Sequence, residues 1–143
     1  MTRVLTLCTA NSARSQMAEG LLRAIGGSAF EVHSAGTRAT AVRPEAIAVM
    51  RERGIDISAH RSKHLEEFAG QLFDYVITVC DAANDNCPVF PGQAQRIHWS
   101  FPDPAAVDAS DDERMHAFRS VRDALEARIT AFVATVGAGQ RRA

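Results

Sequence analysis

No charge of one sign dominates this sequence: 16 Lys plus Arg stand against 17 Asp plus Glu, a formal net charge of -1. That removes the basic footprint of a nucleic-acid binder or of a protein held to an anionic membrane. Any bound anion must therefore be held by a local site. A long apolar run is missing too. Nothing approaches the roughly 18 consecutive residues of a membrane span, and Val4-Leu5-Thr6-Leu7-Cys8 is too short for the apolar region of a secretion signal. The expected setting is the cytoplasm. Cysteines number only three, an odd count that argues against a framework of structural disulfides, and a reducing compartment keeps them as thiols. No C-x2-C pair occurs, and His33, His60, His64, His98 and His116 are scattered. No metal site is expected, and each histidine reads as a surface or capping residue. There is no internal repeat, low-complexity segment or linker, and 143 residues amount to about one domain at roughly 100 to 200 residues each. A single domain over 1–143, a monomer, is the expectation.

What the chain does have is 46% hydrophobic residues, enough for a core, in an alternating order of strand and helix signals. Residues 3–7 read as a strand. Met17, Ala18, Leu21, Leu22 and Ile25 then recur at helical spacing from Ser15 and are closed by Gly26-Gly27. Residues 30–34 alternate as a strand, and Pro44 opens a helix at its favoured first position, with Gly54 as its stop. A short helix is expected over 65–71. The near-continuous apolar run of 73–79 reads as a central strand, and 96–99 as a last short one. From Asp111, the residues Met115, Phe118, Val121, Leu125, Ile129, Phe132 and Val136 form one helical stripe, with 137–143 as a frayed tail. This order predicts an α/β fold, a three-layer sandwich with a central four-stranded parallel sheet flanked by helices. Ligands of such sheets bind beyond the carboxyl ends of the strands. Cys8, Ser34, Cys80 and Trp99 all fall there.

The segment Cys8-Thr9-Ala10-Asn11-Ser12-Ala13-Arg14-Ser15 sets a cysteine at a strand end, five loop residues, then an arginine and a serine opening a helix. A loop of this length can turn the backbone N–H groups of Thr9, Ala10, Asn11, Ser12, Ala13 and Arg14 toward a tetrahedral oxyanion, helped by the helix dipole. Arg14 adds a planar fork that grips two oxygens at once. Cys8 in that field is expected as the thiolate, the form that attacks, because helix N-termini and nearby cations favour it. Ser15 can donate a hydrogen bond to the same sulfur. A buried core cysteine before an ordinary helix is the alternative.

Cys8-x5-Arg14-Ser15 followed by Gln16-Met17-Ala18-Glu19-Gly20 resembles the low-molecular-weight tyrosine phosphatase superfamily. Within it, the chain is most similar to the thioredoxin-coupled arsenate reductases. The similarity extends through His33-Ser34-Ala35-Gly36, Gly54-Ile55-Asp56-Ile57-Ser58, Thr78-Val79-Cys80, Asn86-Cys87-Pro88 and His98-Trp99-Ser100-Phe101-Pro102-Asp103-Pro104. The resemblance implies Cys8 as nucleophile on arsenate, Asp103 as the acid that protonates the leaving oxygen, and Cys80 and Cys87 as resolving thiols. It also implies loop support from Asn11, Glu19 and Ser34, which in some relatives help hold a potassium ion beside a carboxylate near the present Lys63. Here Lys63 itself could occupy the cation's place. Trp99 and Phe101 are expected around the acid loop.

The electron count separates the two branches of this superfamily. A phosphocysteine is cleared by water, so hydrolysis needs one thiol. Reduction of arsenate to arsenite takes two electrons, which a protein without a redox cofactor supplies by oxidising two thiols to a disulfide. Were Cys80 to Cys87 helical, their Cα atoms would lie roughly 10 Å apart, beyond the roughly 7 Å a disulfide spans. The segment 80–92, small and polar with Pro88, Pro91 and Gly92, is therefore expected to rearrange between redox states. Arsenate is the implied substrate, phosphate its competitor and thioredoxin the electron donor, with no bound cofactor. A phosphotyrosine phosphatase using Cys8, Arg14 and Asp103, or an oxidant sensor using the cysteines alone, are the alternatives.

Overall fold

The computed structural model describes residues 1–80 and 94–142, the side chains of 138–142 excepted. Strand β1 (Thr2–Cys8) is buried along almost its whole length, as an interior strand must be. β2 (Phe30–Gly36) pairs with one side of it and β3 (Tyr75–Thr78) with the other, while β4 (Gln95–His98) extends the sheet beyond β3. All pairings are parallel, in the order β2-β1-β3-β4. Cys8 stands opposite Gly36, and Thr78 opposite His98, so the carboxyl ends share one edge. The chain moves outward from β1 to β2 and then back across β1 to β3. That reversal makes the end of β1 the crevice where such sheets bind ligands.

Helix α1 (Arg14–Gly26) and the long α3 (Asp111–Arg142) cover one face. The Thr6 hydroxyl donates to the Ser15 carbonyl at 3.0 Å, and the Phe132 ring meets those of Tyr75 at 5.0 Å and Trp99 at 6.0 Å. Because side chains alternate along a strand, Leu5 and its partner His33 point the other way, where Phe68 lies 5.2 Å from the His33 ring. Phe68 closes a single 3-10 turn (Leu65–Phe68), shorter than the helix expected over 65–71. His64 caps that turn by accepting from the Glu66 N–H, and Gly70, at φ +80°, leads the chain out in a left-handed conformation.

α2 (Pro44–Arg51) begins at its proline and ends before Gly54, again left-handed at φ +73°. α3 starts behind Ser110, whose hydroxyl accepts from the Glu113 N–H at 3.2 Å. It stays helical to Arg142, past the glycines where a frayed tail was expected. Glycine costs about 1 kcal/mol in a helix but, unlike proline, keeps its N–H for the ladder. Trp99 packs against Phe132 of α3, so its place is in the core beneath the sheet edge. No described helix is long and apolar enough to cross a membrane.

Candidate active site

The loop between β1 and α1 is held from outside by its carbonyls. The Cys8 carbonyl accepts from the Thr37 N–H at 3.3 Å, that of Thr9 from the Arg38 N–H at 3.0 Å, and that of Ser12 from the Arg43 N–H at 2.9 Å. The Ala10 carbonyl accepts the hydroxyls of Thr40 and Ser62, both at 3.0 Å. None of the N–H groups of residues 9–13 donates to a described residue. With the carbonyls engaged on the outer side, these donors remain for a ligand. The start of α1 adds to them, since Ala13 at its N-cap supplies no capping side chain.

Asn11 takes a left-handed conformation (φ 48°) that asparagine tolerates better than most residues, and Ala10 is spared it. The buried Asn11 carboxamide uses all its hydrogen-bonding capacity. Its nitrogen donates to Ser15 Oγ at 2.8 Å and Ser34 Oγ at 3.0 Å. Its oxygen accepts from Gln16 Nε2 at 2.9 Å and the Lys63 N–H at 2.8 Å. The Ser34 hydroxyl in turn donates to Glu19 Oε1 at 2.6 Å. Ser15 Oγ lies 2.8 Å from Cys8 Sγ. Since Ser15 accepts from Asn11, its own single proton is left for the sulfur, the bond a thiolate takes.

Behind this chain, the Glu19 carboxylate is buried among Arg23 at 3.0 Å, His60 at 3.5 Å and the Lys63 ammonium at 3.8 Å. Burial pushes both His60 and Lys63 below their ordinary values, while the Glu19 charge pulls the other way. Lys63 thus directs its ammonium between the Arg61 carbonyl, to which it donates at 2.7 Å, and the Glu19 carboxylate, where some relatives are expected to hold a potassium ion. Reading His60 as a surface or capping residue is corrected here. It lies half-buried against Gln16 Oε1 at 3.0 Å, and Gln16 in turn reaches the Arg61 carbonyl at 3.0 Å. Gln16 carries no role in the sequence reading either, although Ser15, Gln16 and Glu19 form a polar cluster on the buried face of α1.

Arg14 is oriented by the loop after β4: Nη1 donates to the Phe101 carbonyl at 3.0 Å, and Nη2 lies 3.9 Å from Asp103 Oδ2. The other Asp103 oxygen accepts from the Ala105 N–H at 3.0 Å, capping the 3-10 turn Pro104–Ala106. Asp103 thus serves as the cap of the turn that Pro104 begins. A cleft of about 160 Å³ lies between these elements. It is lined by Cys8 and the loop residues to Arg14 apart from Asn11, with Asp103 and Arg38 at its sides. Sequence reasoning missed Arg38. Cys80, buried and reduced like Cys8, comes two residues after β3, with its sulfur 3.4 Å from Thr9 Oγ1. Cys87, with Asn86 and Pro88, lies outside the described residues, as does nearly all of the segment 80–92.

Residues 3–142 match the family described as low molecular weight phosphotyrosine protein phosphatase. The chain belongs to that family. Among curated members it is 44% identical over 129 residues to an arsenate reductase of Halalkalibacterium halodurans, spanning 90% of this chain and 93% of that one. A solved arsenate reductase in a phosphate-binding state superposes with a TM-score of 0.76 at 34% identity, over 94% of this chain and 98% of the other. A thioredoxin-dependent arsenate reductase of Corynebacterium glutamicum superposes with a TM-score of 0.73 at 27% identity, over 97% of this chain and 63% of its own. This member of the phosphatase family thus places a second free thiol, Cys80, in contact with the loop that follows Cys8.

Proposed function

We propose that this protein reduces arsenate to arsenite through a relay of Cys8, Cys80 and Cys87, with electrons from reduced thioredoxin. The observation that carries the reading is Cys80, a reduced thiol touching the loop residue next to Cys8. Hydrolysis gives such a thiol nothing to do. The arsenate reductases among the relatives support the same reading.

In this mechanism the loop N–H groups and Arg14 hold the oxyanion, and Cys8 attacks arsenic as a thiolate. Asp103 protonates the departing oxygen, which leaves as water. Cys80 then attacks the Cys8 sulfur. The electron pair of the S–As bond stays on arsenic, arsenite departs and a Cys8–Cys80 disulfide remains. Attack of Cys87 on Cys80 frees Cys8 and moves the disulfide to Cys80–Cys87, where the thioredoxin dithiol returns two electrons. Asn11, Ser15, Ser34 and Glu19 keep the loop in register, and Lys63 takes the place of a monovalent cation. Phosphate competes for the cleft, and slow hydrolysis of aryl phosphates by Cys8, Arg14 and Asp103 accompanies the main reaction.

The test follows NADPH loss in a mixture of reduced protein, arsenate, thioredoxin and thioredoxin reductase, beside a Cys87→Ser variant. Arsenate-dependent turnover in the wild type, with multiple turnover lost in the variant, is expected. No NADPH loss with aryl phosphate hydrolysis intact would make the protein a phosphatase and overturn the relay.

A further inference from the structure

The charge balance of the cleft is incomplete without Arg38. Of the residues lining it, Arg14 and Arg38 are the cations. A thiolate nucleophile and an arsenate dianion in one small cleft exceed what a single guanidinium offsets. Arg14 is already committed to the Phe101 carbonyl and stands near Asp103. Arg43, in the groove that adjoins the cleft, is paired with Glu45 at 2.8 Å. Arg38 is exposed, and among the described residues its guanidinium has no hydrogen-bond or ion-pair partner. Its backbone is fixed all the same, since its N–H donates to the Thr9 carbonyl. It also borders both the cleft and the adjoining groove.

We infer that Arg38 is a second substrate-binding cation, which captures the incoming oxyanion at the mouth of the cleft and holds an outward-facing oxygen once the loop has taken the others. The inference rests on the oxyanion reading of the Cys8 loop and gives that site a specificity element. A dianion gains more from a second guanidinium than a monoanion does. Arsenate and phosphate are thereby favoured over singly charged anions of similar size.

The experiment uses inorganic phosphate as probe. It measures how strongly phosphate protects Cys8 from alkylation in the full-length reduced protein, resolved by peptide, for wild type, Arg38→Gln and Arg38→Lys. Arsenate KM and kcat are measured alongside. Arg38→Gln should weaken protection about tenfold at low salt, the order of one charge-assisted contact in a half-open site. It should raise KM by more than it lowers kcat. Arg38→Lys should recover part of the loss, and added salt should narrow the gap because the site is open to screening. Phosphate protection in Arg38→Gln within about twofold of wild type at low salt would overturn the inference. Equal losses in the Gln and Lys variants that salt leaves unchanged would do the same, since they would indicate a structural role. Protection from alkylation does not depend on turnover, so failure of the reductase reading alone would leave the result for Arg38 intact.

Discussion

Gly36→Ala offers a direct test of how the oxyanion loop is held. Gly36 ends β2 opposite Cys8, and its N–H donates to the Lys63 carbonyl at 2.9 Å. A methyl group built there would lie 2.6 Å from the Thr9 carbonyl oxygen, 2.7 Å from the Asn11 nitrogen and 2.8 Å from the Arg38 carbonyl oxygen. Carbon in good contact wants roughly 3.5 Å or more, so each neighbour must retreat by several tenths of an ångström. All three are backbone atoms, and none can escape by a side-chain rotation. The Thr9 carbonyl is also the acceptor for Arg38 and the Thr37 hydroxyl. Displacing it drags the stitched segment and tilts the donors of the loop.

Overpacking costs about 1 to 3 kcal/mol in general, and an immovable backbone puts this substitution at about 3 kcal/mol. Phosphate affinity should fall by about tenfold or more as the donors lose alignment. Gly20→Ala is the control. Its methyl would meet the side-chain ends of Ile57 at 2.8 Å and Met50 at 3.1 Å, on the core side of α1. There the crowding is partly offset by a helix preference of about 1 kcal/mol for Ala, and the loop is untouched. Urea unfolding gives the stability change, and phosphate protection of Cys8 from alkylation gives the binding change. If Gly36→Ala, like Gly20→Ala, binds phosphate within about twofold of wild type, the argument that the loop is positioned through residues 36–38 is wrong.

Asn11→Ala removes the acceptor of the Lys63 N–H, the donor to Ser15 and Ser34, and a side chain suited to positive φ. It should cost about 3 kcal/mol in urea unfolding and slow Cys8 alkylation, whereas a loss under about 1 kcal/mol would show that the network is dispensable. Exchanging potassium for sodium should leave arsenate turnover unchanged, because Lys63 already faces Glu19; marked activation by potassium would refute that account. Hydrogen bonds from Arg119 and Arg122 hold the Glu52 carboxyl at about 2. Its folded-state value is lowered, so its contribution is present above the ordinary carboxylate value of 4.5 and is lost as pH falls toward about 2. Glu52→Gln should therefore flatten the acid limb of a stability-against-pH curve, by a modest amount that salt reduces because Glu52 and Arg119 are exposed although Arg122 is buried. An unchanged acid limb would mean that the contact is broken in solution.

The sequence carried the anion loop because every signal there is local: a strand run, a cysteine, a five-residue spacing and a helix period. The same holds for Pro44 and Gly54 around α2, and for the apolar stripe of α3. The site residues it hid are those whose roles arise from contacts far along the chain. Gln16 meets His60 and the Arg61 carbonyl, some 45 positions away, and no periodicity announces such a pairing. Arg38 lies on an irregular segment after β2, and its bond to the Thr9 carbonyl, reached across the sheet edge, brings it to the cleft. The helix expected over 65–71 fails for a local reason of the opposite kind, since Gly70 in a left-handed conformation outweighs the weak helical signal before it.

An anion cradle of this kind does not by itself distinguish hydrolysis from reduction. Holding a tetrahedral dianion, presenting a sulfur nucleophile and offering a carboxyl to the departing oxygen are needed by both reactions. In the proposed mechanism everything from Cys8 to Ser15, together with Asp103, would serve either. The distinction must therefore lie where a second thiol can reach the first sulfur once it is bonded to the substrate atom. The Val79 N–H bonds the Leu7 carbonyl at 2.9 Å, which ties the chain just before Cys80 to the chain just before Cys8. Two strands that end side by side thus bring two thiols to the same edge, with Thr9 in contact with the second. Phosphate chemistry leaves that second thiol idle, whereas two-electron chemistry requires it. The parallel register of β1 and β3 is accordingly the feature of the fold on which the reductase reading depends.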